Sequence, residues 1–194
     1  MTWNTEAVAH LQSREGYMPR WAFWCDARNR DTGESEASGI WQGEDHEVFT
    51  IDGQQRTFAG AQGNLEIGEI RRGKGLNVRS LTVKLNGLSP DVQQLLNTYD
   101  VRGRQCKVFL MLLDPQTGQL IGINREFKGY VNMAPEAFDA DEGAHSVQVD
   151  LVSHFRDLTK TPNIYKSNAA QSALGGDTFA RDSTMADAVD DKWG

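Results

Sequence analysis

Across residues 81–131 the apolar positions change their period several times, and each change predicts an element. Leu81, Val83 and Leu85 alternate with Thr82 and Lys84, the period-two pattern of a half-buried strand. Asn86-Gly87 ends that strand, because glycine takes the positive φ of a sharp exit at little cost. Ser89 then fits a helix N-cap, with Pro90 at the first helical position and Asp91 near the positive end of the dipole. Val92, Leu95 and Leu96 give this short helix one apolar face. From Cys106 to Leu113 the apolar residues fall on both faces, which predicts a strand covered on two sides. Asp114-Pro115-Gln116-Thr117-Gly118 is a turn, and Phe127-Lys128-Gly129-Tyr130-Val131 belongs to a third strand. Val83, Leu85, Val108, Leu110, Leu112 and Val149 are the expected core.

The same patterning carries the rest of the chain. Asn4 to Glu15 reads as a short helix with Ala7, Val8 and Leu11 on one side and Gly16 as its stop. Trp21-Ala22-Phe23-Trp24-Cys25 is a strand with aromatic side chains on both faces, one of which could lie in a subunit contact. Residues 29–38 read as a polar hairpin loop, and Ile40–Gly43 and Glu47–Ile51 as strands. Asp52-Gly53 is a strong hairpin signal, since the pair suits a type I′ turn. Leu65, Ile67 and Ile70 suggest a further strand before the basic loop Arg71-Arg72-Gly73-Lys74-Gly75. Past an acidic loop at residues 135–143, Val147, Val149 and Leu151 alternate with Gln148 and Asp150. From Thr161 the texture changes to small polar residues that cannot sustain a core of their own. Tyr165, Phe179, Met185, Val189 and Trp193 are spaced through it like anchors. The expected organisation is a β-domain over residues 1–160, an antiparallel β-barrel or split barrel with two short helices, and an extended arm over residues 161–194.

Composition narrows the function. The 194 residues suffice for one domain with an appendage, and 39% apolar with 24% charged is globular usage. With 27 acidic against 20 basic residues, the net charge of −7 argues against a general nucleic-acid binder, which needs a basic face. No apolar run approaches the roughly 18 residues of a membrane span. The N-terminus lacks the profile of a signal peptide, so synthesis in the cytoplasm is expected. Cys25 and Cys106, both in apolar strands, read as buried free thiols rather than a disulfide or metal ligands.

Motifs that would carry chemistry are missing. His10, His46, His145 and His154 stand in neither H-x-x-x-H nor H-E-x-x-H spacing. The glycines at 60–63 and 73–75 lack the G-K-[ST] of a phosphate loop, and there is no G-x-S-x-G. Asp139, Asp141 and Glu142 fail the calcium-loop pattern and read as solvated. The expectation is a protein that is not an enzyme, with no catalytic residue, metal or cofactor. Arg71, Arg72 and Lys74 are candidate contacts for phosphates or for acids of a neighbouring subunit, and Tyr165, Phe179 and Trp193 are candidate anchors on one.

The ordered run D-G-Q-Q-R-T-F-A-G, L-x-I-G-E-I, S-L-T-V-K-L-N-G-L-S, Y-D-V-R-G-R-Q-C-K-V-F-L and F-K-G-Y-V resembles phage tail-tip proteins. These are the minor tail, distal-tail and hub proteins of long non-contractile tails, found also in gene transfer agents. The end, with Gly176-Asp177-Thr178-Phe179 and Lys192-Trp193-Gly194, is similar to their closing segment, so the resemblance spans residues 47–194. It implies a β-barrel or split barrel in a homo-oligomeric ring, a trimer or hexamer, in the virion. Partners would be the tail tube, the hub or central fibre and the tape measure, with DNA passing through and neither membrane nor specific nucleic acid bound. Hub relatives can hold an iron–sulfur cluster in an added cysteine-rich domain, which two cysteines do not supply. A receptor- or carbohydrate-binding β-domain is the competing expectation, with Trp21, Trp24 and Trp41 as exposed stacking platforms. A small tail-associated hydrolase is a third, opposed by the missing nucleophile and metal patterns.

Overall fold

A computed structural model of the chain describes residues 3–14, 16–61, 64–70, 78–133 and 146–159. The chain divides into two units, Met1–Leu158 and Thr159–Gly194, and apart from Thr159 the described residues belong to the first. That unit is mainly β. Its strands are β1 (Met18–Asn29), β2 (Ser35–Trp41), β3 (Glu47–Ile51), β4 (Gln54–Gly60), β5 (Leu65–Ile67), β6 (Ser80–Asn86), β7 (Tyr99–Asp100), β8 (Gln105–Leu113), β9 (Leu120–Met133) and β10 (Ser146–Ser153). The described residues also form short helices: α1 (Thr5–Ser13) before β1, α2 (Pro90–Asn97) between β6 and β7, and α3 (Arg156–Thr159) after β10.

The sheet runs in the order β3-β4-β2-β1-β8-β9-β10-β6-β5, with β7 paired to β1. All pairings are antiparallel except β2 with β4, which meet in parallel at Ile40–Ala59 and Trp41–Gly60. Among the described residues the hydrogen-bonded path is open, a split sheet and not a closed barrel. The gap between β5 and the β1–β2 pair is bridged by one side chain. Gln42 accepts from the Trp21 amide at 2.9 Å and donates to the Leu65 carbonyl at 2.6 Å. An amide side chain therefore satisfies the backbone groups that a missing ladder would leave unpaired.

Because successive residues point to opposite faces, β1 and β8 each feed two cores. Phe23, Cys25, Ala27, Cys106 and Val108 join Leu81, Val83, Leu85, Val147, Val149 and Leu151, with Val92 and Leu95 of α2, in the first. Ala22, Trp24, Phe109, Met111 and Leu113 on the other face join Trp41, Phe49, Ile51 and Phe58 in the second. The β3–β4 hairpin covers this second core. Its turn has φ of 53° at Asp52 and 75° at Gly53, the two positive values that a type I′ turn requires. The aromatic rings interlock there, with centroids 5.2 Å apart for Trp24–Phe58, 5.8 Å for Phe49–Phe58 and 5.1 Å for Trp41–Phe49.

Local expectations hold with instructive differences. Leu110 is only half-buried while Met111 is fully buried, because the Leu110 face carries half-buried Trp21 and Asn124 beside it and not the packed core. The predicted loop at 29–38 shrinks to residues 30–34. The Asn29 side chain accepts from the amides of Asp31 and Thr32, so one asparagine turns the chain and the strands extend to meet it. Arg14, not Gly16, takes the left-handed position ending α1. Ser89 occupies the N-cap of α2 with Pro90 after it, yet its hydroxyl makes no capping bond. The strands that precede and follow α2 do not pair with each other: β6 lies between β10 and β5, while β7 pairs with β1, and β8 lies between β1 and β9.

Candidate functional site

The six residues singled out as subunit contacts, Arg71, Arg72, Lys74, Tyr165, Phe179 and Trp193, lie outside the described residues, as do the acidic loop and the arm. The tryptophans can be placed. Trp24 and Trp41 are 8% and 9% exposed in the second core, and Trp21 is half-buried. Trp24 Nε1 donates to Asp26 and Trp41 Nε1 to the Asp45 carbonyl, so both rings are anchored. Buried, tethered rings cannot serve as sugar-stacking platforms.

Cys25 and Cys106 are free, buried and directly opposite each other across β1 and β8. Burial pushes the Cys25 thiol up to about 12 and raises Cys106 as well, because a thiolate there would lose its hydration. Among the described residues no group of three His, Cys, Asp or Glu could hold a metal ion. Tyr130, Asp157 and His154 form another polar group. The Tyr130 hydroxyl donates to Asp157 at 2.6 Å, which holds the phenol above its ordinary value. The His154 ring stacks on Tyr130 at 5.1 Å. The group ties α3 to β9 and contains no activated nucleophile.

A cluster of cations was not legible in the sequence. In the register, Trp24 faces Lys107 and Lys107 faces Lys128, so the three form a row across β1, β8 and β9. Arg125 faces Phe109 beside this row, at the bulge where Glu126 is the extra residue of β9. Arg56 of β4 completes the cluster from the hairpin, its guanidinium 5.1 Å from the Trp24 ring centroid. The Lys107 amine is pushed below its ordinary value, first by desolvation and then by Arg56, with Lys128 and Arg125 adding to it and Asp26 opposing. Among the described residues, Asp26 is the one carboxylate that acts on Lys107, against three cations. Arg56 is 8% exposed, and its Nη1 is buried without a hydrogen-bond partner. The four residues are spread over β4, β8 and β9 with apolar residues between them, so no local run of charge announced them. The one signal was a lysine inside an otherwise apolar strand.

At the other end of the second core, the edge strand β3 and the β8–β9 turn enclose a groove of about 500 Å³. Val48 is 51% exposed there, beside Thr50, Gly118 and Gln119.

No family model matches this chain, and no curated protein does. Among solved structures, a chain of the "Virion of native gene transfer agent (GTA) particle" superposes with a TM-score of 0.53 at 16% identity. The likeness is one of fold. It covers 84% of this chain and 49% of the other, so the present chain spans about half the length of that virion chain.

Proposed function

We propose that this protein is a structural subunit of the tail tip of a phage-like particle. Several copies would form a ring that joins the tail tube to the distal tip and leaves a conduit for DNA. The observation that carries the reading is the shared fold with a gene transfer agent virion chain. The ordered short patterns of residues 47–194 point the same way. A net charge of −7 suits a conduit wall, since like charge keeps phosphates from adhering. The role needs neither catalysis nor a cofactor. Self-association and contact with tail tube, hub or central fibre and tape measure are its partners, and the 71–74 loop and the residues 161–194 are its assigned contacts.

The test is the mass of the purified protein by light scattering, together with antibody labelling of intact particles. A trimer or hexamer and label at the distal end of the tail are expected. A monomer at every concentration, or label on the capsid alone, overturns the reading.

A further inference from the structure

We infer that the Arg56–Lys107–Arg125–Lys128 cluster is a subunit contact that receives carboxylates of a second copy of this chain. The inference rests on the assembly proposed above and names the surface and the chemistry of one contact in it. The Arg56 guanidinium is buried with Nη1 unpartnered, so its positive charge is uncompensated by any hydrogen bond at that nitrogen. Nη1 itself is out of reach of another chain, but Lys107 and Arg125 beside it are half-buried and Lys128 is exposed, so these side chains can take a carboxylate from outside. The cluster's surroundings specify the partner's charge. Among the described residues no carboxylate forms an ion pair with any of the four cations, and Asp26, the one acid that acts on Lys107, already accepts from Trp24.

A second copy supplies the complement. The chain carries 27 acidic residues against 20 basic, so cations concentrated on one face leave acids in excess elsewhere on every copy. The Trp24 ring, 5.1 Å from the Arg56 guanidinium, holds that charge beside the lysines, where it adds to the positive field a carboxylate meets. A nucleic-acid backbone suits the cluster less well, because phosphate tracking needs a basic stripe on a chain of matching charge.

Zero-length carbodiimide coupling tests this directly, since it joins a lysine amine to a carboxylate in contact with it. Ordinary and ¹⁵N-labelled protein are mixed, allowed to exchange, coupled and digested for mass spectrometry. Lys107 or Lys128 is expected in peptides that join one isotopic copy to the other. The variant K107Q/R125Q/K128Q, which leaves Arg56 on Trp24, is expected to fold normally and to associate about tenfold more weakly, as loss of complementary charge pairs implies. Association of the unmodified protein should weaken in rising NaCl and that of the variant much less. If the protein assembles without mixed-isotope links at these lysines and the variant assembles normally, the contact is wrong while the ring stands. If the protein never self-associates, both fall. Retention of a labelled DNA duplex through these lysines, with no links between copies, overturns the contact in favour of phosphate.

Discussion

At the scale of single residues, two glycines separate space from conformation. A Cβ at Gly129 would lie 2.1 Å from the Val152 carbonyl oxygen, where β9 and β10 approach each other. Neither backbone can give way, so Gly129→Ala is expected to cost about 3 kcal/mol or more in urea unfolding. Gly53 has open space around it and only its φ of 75° to protect, so Gly53→Ala is expected to cost about 1–2 kcal/mol. Equal losses at both would show that the close approach is not rigid. The thiols give a pH dependence. Folding raises the Cys25 value from 9.0 to about 12, so the unfolded chain releases its proton first. Stability is at its full value below about pH 9 and falls as pH rises from there toward the folded value, by up to about 1.4 kcal/mol per pH unit for each thiol. Denaturation curves between pH 9 and 10, compared with the C25A/C106A variant, isolate this slope, and identical slopes would contradict it. That the cysteines are buried thiols was legible from their apolar neighbours. That they face each other was not, because pairing register is a property of two strands and neither sequence encodes it alone.

At the scale of elements, the β3–β4 hairpin does most to complete the second core. Phe58 is fully buried between Trp24 and Phe49, and Phe58→Ala is expected to cost about 3–5 kcal/mol, read as a lower thermal midpoint. Trp24 emission should shift to the red as water reaches the ring, and an unshifted spectrum would mean that the hairpin does not cover Trp24. On β8, Leu112→Ala should cost about 2–5 kcal/mol and Leu110→Ala clearly less, since Leu112 is buried and Leu110 half-buried. Such elements were readable where the signal is local. Asp52-Gly53 announced its hairpin, and the alternation of Leu81, Val83 and Leu85 announced β6 and the face it buries. From Val108 to Leu113 on β8, apolar residues at every position hid which of Leu110 and Met111 meets a full core. The contrast follows from the neighbouring strands, not from β8 itself.

At the scale of the whole molecule, the mainly β class and the short helices were legible in the chain, whereas the strand order was not. Local patterning gives no hint that β1 pairs with β8, or that β2 and β4 run parallel. The cation cluster stayed hidden for the same reason, since it exists only once β1, β4, β8 and β9 have met. The central pairing also imposes a schedule on biosynthesis. Trp21 lies opposite Leu110, about ninety residues further along, so at ribosomal speeds of roughly 5–20 residues per second the partner strand emerges about 4–18 seconds later. During that interval the strand bearing Trp21, Phe23 and Trp24 has β2 on one edge and nothing on the other. Pairing across such a separation makes folding slow, and an unpaired aromatic edge is the segment most prone to sticking to other nascent chains. Yield of native protein is therefore expected to depend on temperature and on chaperones during translation far more than the finished fold depends on either.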